Sequence, residues 1–516
     1  MTRHTVDRRN SASPWIEIIV AALRRHRERI AVVDGDRELT YAGLSAQISR
    51  FADALRAQGL RSGDGVALLA YNTVEAHIAL LATQVAGLRY TPLHPLGGVE
   101  DHRWTIDDGE AKALIVCPNS FPIEGQRLAA VVSNAIPVLT LGECKRGIDI
   151  VAAADRVVER PIEEALEIGE VVSILYTGGT TGRPKGVIHP QRTYAAHFLT
   201  SLAEYGWPSR PVSLVSSPFS HTGMTFIAPT LHRGGTLILM PRFESDKALE
   251  LIQRHRVNAT WLVPTMVYKL LDHPSLEDAE TSSIERIWYG GGPIITARLA
   301  EALARLGPVF AQTYGQTETI TATLLPPEDH DGSHPERLAS CGRAIAGMRT
   351  AILDEDGTVL PPGQVGEIGI AGGAVADGYW KLPELSAERF IDGWKRSGDI
   401  GYMDKDGYVY HVDRREDMIV SGGFNVYPSD VENALGNHPD VLMSAVFGVP
   451  DSTWGEAVRA AVVLRDGANV APEELRQHVR TAKGPVATPK QIDLRSTLPL
   501  TAIGKVDRKT LRAELR

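Results

Sequence analysis

Tyr176-Thr-Gly-Gly-Thr-Thr-Gly-Arg-Pro-Lys-Gly-Val187 follows directly on the apolar run Val171-Val172-Ser173-Ile174-Leu175. A short apolar run that ends in glycines reads as a buried strand handing over to a loop. Glycine lets successive backbone N–H groups turn toward an anion, threonine hydroxyls add donors, and Arg183 and Lys185 add charge. That is the chemistry of a loop that holds a polyphosphate. It is not a Walker A loop, because Lys185 follows Pro184 and precedes Gly186, which breaks the G-x-x-x-x-G-K-[ST] spacing.

On both sides of this loop the chain alternates helical and strand-like patterns. Leu44, Ile48, Phe51 and Leu55 recur at helical spacing between an N-cap, Thr40, and a stop, Gly59. Val66–Ala70 reads as a strand after the turn Ser62-Gly-Asp-Gly65, and Glu75–Ala86 as the next helix. Ser213–Val215, Thr236–Met240 and Ala259–Val263 continue the alternation, which predicts mainly parallel, helix-covered sheets of an α/β protein. Near Ser340 the texture changes. Short strands Arg349–Leu353, Val365–Ile370 and Tyr408–His411 are separated by Asp356-Gly357, Pro361-Pro-Gly363 and Asp406-Gly407. They predict a small antiparallel β-barrel-like subdomain over about residues 340–412. After Asp413 an α+β unit begins, with helices over Val431–Leu435, Pro472–Ala482 and Val506–Leu515 and strands over Val441–Val449 and Val458–Leu464. The expected division is a large domain, 1–415, and a small one, 416–516.

Composition excludes more than it decides. At 516 residues the chain is too long for one ordinary core. Its 54 Lys and Arg against 63 Asp and Glu give a net charge of −9, so no global basic field recruits nucleic acid or acidic membranes. Anionic substrates must be held by local cations. Cys117, Cys144 and Cys341 are few and widely spaced, which argues against a disulfide framework or a zinc site and fits a reducing cytoplasm. No apolar h-region follows the charged N-terminus and no run of about 18 apolar residues occurs, so neither a signal peptide nor a membrane span is expected.

Further motifs follow the loop in a fixed order: Ser217-Pro-Phe-Ser-His-Thr-Gly223, Tyr289-Gly-Gly-Gly-Pro293, Tyr314-Gly-Gln-Thr-Glu318 and Arg396-Ser-Gly-Asp399. Asp413-Arg-Arg-Glu-Asp-Met-Ile-Val-Ser-Gly-Gly423 and Gly504-Lys505 complete the series. From about the first strand to the last dozen residues the chain resembles the adenylate-forming superfamily of acyl- and aryl-CoA synthetases, peptide-synthetase adenylation domains and beetle luciferases. The resemblance implies a large N-terminal domain, a small mobile C-terminal one, and an active site between them. It implies attack of a carboxylate on the α-phosphorus of ATP with loss of pyrophosphate, then transfer of the acyl group to a thiol, with Mg²⁺ and CoA as partners in the chemistry. Such a reaction crowds negative charge at phosphorus, so catalysis is mostly positioning and charge neutralisation.

The resemblance assigns roles residue by residue. Thr177, Gly178, Gly179, Thr180, Thr181, Gly182 and Lys185 would hold the β- and γ-phosphates. Tyr314 would stack on adenine, with Gly315 and Gln316 beside it; Thr317 would bond the α-phosphate, and Glu318, with Thr181, would hold magnesium. Gly290, Gly291, Gly292 and Pro293 would line the other face of adenine and the acyl pocket. Asp399 would accept bonds from both ribose hydroxyls, and Arg414 would reach the ribose or a phosphate. Lys505, in Pro499-Leu-Thr-Ala-Ile-Gly-Lys505, would bridge the carboxylate and the α-phosphate as they approach. Leu500 stands where relatives commonly carry Arg or Lys. Glu416 takes the hinge position, where Asp or Lys is more common.

The acid pocket is expected from His221, Thr222, Gly223, Met224, Trp261, Tyr289 and Ile320, with His221 gating carboxylate and thiol. Ala203-Glu-Tyr-Gly-Trp207 lacks the Asp that amino-acid adenylating domains use for an α-ammonium, which points to an aryl or medium-chain acid. For the acceptor the residues pull both ways. Gly422, Gly423, Trp454 and Lys490 match a CoA face, whereas Ala487-Thr-Pro-Lys490 lacks the extra basic residue that often precedes Pro-Lys in CoA-using relatives. A thiol of CoA is the leading reading. Loading of a carrier protein, or activation of nitrite to diazotise an aromatic amine, are the alternatives.

Overall fold

The computed structural model describes residues 14–514 apart from 178–183, 221, 331–333, 415–416, 452–453 and 501–505. Two large sheets carry the N-terminal part. The seven-stranded sheet runs Ile148–Asp149, Val138–Thr140, Ala111–Val116, Gly65–Leu69, Arg89–Pro92, Val171–Thr177 and Lys185–Pro190. All its neighbours are parallel except the last pair, the antiparallel hairpin that brackets the glycine-rich loop. The nine-stranded sheet has a parallel centre, Ile30–Asp34, Thr236–Leu239, Val212–Val215, Ala259–Leu262, Arg286–Gly290 and Phe310–Tyr314, with antiparallel strands at both edges.

The expected first helix spans Tyr41–Ala57, and its N-cap Thr40 accepts a bond from the Gly43 N–H at 3.0 Å. Such a cap satisfies an orphan helix donor and contributes about 1 kcal/mol. Tyr41–Ala57, Val74–Val85 and the N-terminal helix Trp15–Arg25 share one core with residues of both sheets, among them Val66, Leu68, Val215 and Leu239. Full burial of side chains this size contributes about 1.5–3 kcal/mol each, and it locks the two sheets together.

The region of Gly/Pro/Asp turns is antiparallel, as expected. Met348–Leu353, Gly366–Gly372, Trp394–Met403, Phe390–Ile391 and Val409–Arg414 pair as five strands. The C-terminal part has its own five-stranded sheet, Phe424–Val426, Ile419–Ser421, Gly455–Leu464, Val441–Asp451 and Gln491–Arg495, and its own core around Val431, Leu435, Val458 and Val479. Gln491–Arg495, parallel to its neighbour, was not anticipated from the sequence. The helix expected to stop at 482 runs Pro472–Ala487 across a kink at Gly484, φ +83°, where Pro485 cannot continue the regular ladder. Among the described residues no helix is long and apolar enough to cross a membrane.

Candidate active site

The hairpin Val171–Thr177/Lys185–Pro190 places Thr177 opposite Lys185 at the base of the loop. Gly178, Gly179, Thr180, Thr181 and Gly182 lie outside the described residues. The stem is fixed from several sides. The Tyr176 hydroxyl donates to Asp108 at 2.6 Å, and the Trp380 N–H donates to the Gly186 carbonyl at 2.7 Å. A Cβ at Gly186 would stand 2.6 Å from Ile174, so the close approach needs glycine.

Residues 376–380 tie this stem to Tyr314–Glu318. Ile188 N–H donates to Gly378, Asp377 N–H donates back to Ile188, and Ala376 N–H donates to the Glu318 carbonyl at 2.8 Å. The Tyr379 hydroxyl donates to Glu318 Oε1 at 2.6 Å. Burial pushes His189 down to about 4, and the neutral ring contacts the Thr317 carbonyl through Nε2 at 2.8 Å. Thr177, Lys185, Thr317 and Glu318 are therefore held in one network.

Tyr314 ends a central strand, and the chain then turns through Gly315 to Ile320 before Thr323–Leu325 runs back. The turn is tight. A Cβ at Gly315 would collide with the Ile320 carbonyl, and Ile320 itself sits at φ +56°. A β-branched residue in the left-handed region is strained, at a cost of about 1–3 kcal/mol, and the surrounding bonds hold it there. Gln316 N–H donates to Thr319 Oγ1 at 3.0 Å, and Ala322 N–H donates to Tyr314 at 2.8 Å.

Asp399 faces the same turn. Its Oδ2 accepts the Tyr314 hydroxyl at 2.8 Å and Gln316 Nε2 at 2.8 Å; its Oδ1 lies 3.4 Å from Arg414 Nε and 3.6 Å from His411 Nε2. Burial disfavours the charge, yet His411, Arg414 and the Tyr314 bond outweigh it and hold the carboxyl below the usual range. The turn before it is set by Glu367, which is 4% exposed and accepts from Gly398 N–H and from Arg396 Nε. Arg396 is thus directed away from the site. Lys395, on the same strand, is turned inward. Its Nζ lies 3.9 Å from Glu318 Oε1, and burial lowers its pKa.

The residues expected to form the acid pocket divide between two faces of the nine-stranded sheet. Trp261 packs with Trp288, Trp207 and Phe226, and its Nε1 donates to Thr313 Oγ1 at 3.2 Å. A Cβ on Gly291 would stand 3.3 Å from the Trp261 ring, and one on Gly290 would collide with the Thr313 carbonyl. Gly292 and Pro293 follow in the turn before helix Thr296–Leu306. Thr222, Gly223 and Met224 begin the 3₁₀ turn Thr222–Phe226; Met224 joins the core shared by both sheets, and Ile320, from the turn after Tyr314, packs against it. Tyr289 is corrected. Strand alternation turns it to the opposite face from Trp261, where it is fully buried and its hydroxyl meets Gln312 and His330. Trp288, one residue earlier, backs the wall instead. His221 lies outside the described residues.

In the C-terminal part, Gly422, Trp454 and Lys490 come together as expected. Gly422 N–H donates to the Trp454 carbonyl at 2.8 Å, a Cβ at Gly422 would meet the indole at 2.8 Å, and Lys490 Nζ lies 4.3 Å from the ring centroid. Gly423 is at φ +81° with open space beside it. Lys505 and Glu416 lie outside the described residues. The stem of the Lys505 segment is closed by a bridge between Leu500 and Val506. Arg508, just beyond it, makes bonds of 2.8 Å to both oxygens of Glu432. Arg512 reaches Asp417 at 3.1 Å.

Tyr379, Lys395, His189 and His411 touch the expected site residues and were missed by sequence reasoning. Lys395 and His411 flank quoted motifs, but only burial separates them from ordinary surface residues.

The sequence matches the AMP-binding enzyme family over residues 19–380 and the AMP-binding enzyme C-terminal domain over residues 430–505. It is 40% identical to a medium/long-chain-fatty-acid–CoA ligase, FadD8, of Mycobacterium tuberculosis, over 96% of this chain and 89% of that one. It is 35% identical to a feruloyl-CoA synthase of an Amycolatopsis species, over 94% and 95%. The fold superposes on the amide bond synthetase McbA of Marinactinospora thermotolerans with a TM-score of 0.88 and 34% identity, covering 98% of this chain and all of that one.

Proposed function

The chain belongs to the AMP-binding enzyme family, and from that premise we propose that this ATP-dependent, AMP-forming ligase joins an aryl or medium-chain acid to coenzyme A. The observation that carries the reading is the meeting of Asp399, Tyr314, Gln316 and Glu318 beside the hairpin stem that bears Thr177 and Lys185. One wall then offers a flat ring for the base, a diol acceptor for the ribose and a carboxylate for a phosphate-bound cation.

In the first step the acid's carboxylate oxygen attacks the α-phosphorus and pyrophosphate leaves. Asp399 Oδ2 already accepts two short bonds, so the ribose hydroxyls replace the longer contacts at Oδ1. Thr177, Thr180 and Thr181 donate hydrogen bonds to the leaving phosphates, Lys185 offsets their charge, and Lys505 bridges the attacking oxygen and the α-phosphate. Glu318 Oε1 is held by Tyr379, and its second oxygen accepts no bond among the described residues. No group of three or more His, Cys, Asp or Glu able to hold a metal occurs among the described residues. One open carboxylate oxygen fits an ion that brings most of its ligands as phosphate oxygens and water. Glu318 and Thr181 would hold Mg²⁺, which when bound offsets phosphate charge. In the second step the thiol attacks the acyl-adenylate carbonyl and AMP leaves, with the pantetheine passing Gly422-Gly423 and the CoA nucleotide resting on Trp454 and Lys490.

The aromatic wall of Trp261, backed by Trp288, Trp207 and Phe226, supports a flat or apolar acid. Likeness to ligases of fatty and feruloyl acids supports the same class. A second reading, with an amine as final acceptor, is favoured by the likeness to an amide bond synthetase. The test is pyrophosphate release across aryl acids, fatty acids, amino acids and nitrite, with mass spectrometry of the product in the presence of CoA or an amine. Acyl-CoA from an aryl or medium-chain acid is expected. Release with no CoA adduct, but with an amide, would establish the second reading.

A further inference from the structure

Lys395 is the charged residue of the nucleotide wall that no motif announced. Its side chain is 2% exposed. Nζ donates to the Arg396 carbonyl at 2.7 Å and lies 3.5 Å from Gln316 Oε1 and 3.9 Å from Glu318 Oε1. The other nearby anions are matched elsewhere: Asp399 faces His411 and Arg414, and Glu367 takes Arg396 and Arg389. For Glu318, Lys395 is the one cation within 4 Å among the described residues. A buried ammonium is costly to desolvate and persists where an anion compensates it. The same pairing acts on the anion. A carboxylate partly neutralised by a fixed cation attracts a second cation less, because the two cations repel across a few ångströms of low dielectric.

We infer that Lys395 is a positioning residue for the metal-binding carboxylate. With Tyr379 it holds Glu318 toward the cleft when no divalent ion is bound, and it weakens the carboxylate's hold on a free ion. Mg²⁺ then enters with ATP, whose phosphates supply the missing ligands, rather than ahead of it. Premature capture of an ion, which would have to be shed or reoriented when ATP arrives, is avoided. The inference rests on the reading of Glu318 as a Mg²⁺ ligand.

The experiment is titration of the full chain, without nucleotide, with Mn²⁺ followed by electron paramagnetic resonance. Lys395→Met should bind Mn²⁺ at least about tenfold more tightly than wild type, and adding Glu318→Gln should abolish the gain. Lys395→Arg, which keeps the charge, should match wild type. In pyrophosphate release, half-saturation by free Mg²⁺ at fixed ATP should fall in Lys395→Met while the KM for the acid stays unchanged. A folded Lys395→Met with wild-type Mn²⁺ affinity overturns the inference. If that variant does not fold, Lys395→Gln, uncharged but still a hydrogen-bond donor, is read by the same criterion. Glu318→Gln alone distinguishes the two levels. An unaltered Mg²⁺ requirement in that variant removes the Glu318 reading itself, whereas a raised requirement with an unmoved Lys395→Met affinity removes only the role given to Lys395.

Discussion

The wall proposed to hold the nucleotide and the C-terminal face around Trp454 are built in opposite ways. Asp399 and Lys395 are each 3% exposed and cross-linked by side chains from several strands. Phe424 is 61% and Trp454 43% exposed, and Trp454 has Lys490 over its ring and the Gly422 backbone beside it. Burial makes each polar contact stronger and each broken one dearer, while exposure leaves contacts weak and exchangeable. A preorganised wall suits a step whose catalysis is charge placement. An open face suits a large acceptor that must arrive and leave within each turnover.

The largest effect expected separates the two half-reactions. Lys505→Ala should cut adenylate formation about a thousandfold, near 4 kcal/mol of transition-state stabilisation, as measured by pyrophosphate release. Thioester formation from supplied acyl-adenylate should survive. Equal loss of both would make Lys505 common to both sides of the comparison. Next comes Asp399→Asn, which keeps shape but removes the charge that His411 and Arg414 face. The KM for ATP should rise about thirtyfold to a hundredfold, about 2–3 kcal/mol for a charge-assisted contact. A KM within twofold of wild type would mean that the ribose is held elsewhere.

Much of this wall was legible beforehand, because its residues sit in contiguous motifs whose glycines mark close approaches. Gly290 and Gly315 are glycine because a neighbouring carbonyl occupies the space of a Cβ, and a sequence displays that constraint directly. The parallel centre of the sheets was legible for a similar reason, as alternation of apolar runs with 3.6-periodic helices. Tyr289 was misplaced because the motif gives position but not face. One residue along a strand inverts the side, and the register with Leu262 and Gln312 decides it. Tyr379, His189 and Lys395 were invisible because they act from other segments, through contacts that exist only after the hairpin, the turn and the antiparallel sheet have met.

Burial in the large core also carries a pH dependence that should be smaller than either catalytic effect. His77 is fully buried against Phe219, both ring nitrogens lack partners among the described residues, and burial lowers it to about 3. Between its unfolded value near 6.5 and about 3, the unfolded chain binds a proton that the folded one refuses. Its share of stability is therefore intact above pH 6.5 and lost progressively as pH falls toward 3. From pH 7.5 to 5.5 wild type should lose about 1 kcal/mol that His77→Leu does not lose, measured by urea unfolding at both values. Identical pH slopes would mean that the ring is protonated in the folded state.

The smallest effect belongs to the exposed face, and it tests whether that face serves CoA at all. Trp454 is half-exposed and Lys490 lies over its ring, so an incoming nucleotide would find an aromatic surface and a cation together. The basic residue often found near Lys490 is absent, since position 488 is a threonine whose hydroxyl is spent on the Gly484 carbonyl at 2.8 Å. One missing surface contact to a phosphate is worth about 1 kcal/mol or less, which weakens CoA without excluding it. Trp454→Ala removes the stacking surface and the platform for Lys490 together, so the KM for CoA should rise about fivefold, near 1 kcal/mol, while pyrophosphate release without CoA stays unchanged. Steady-state acyl-CoA formation over a CoA series reads both quantities. If the KM is unmoved, the exposed face is not a CoA surface, and its openness belongs to a different acceptor.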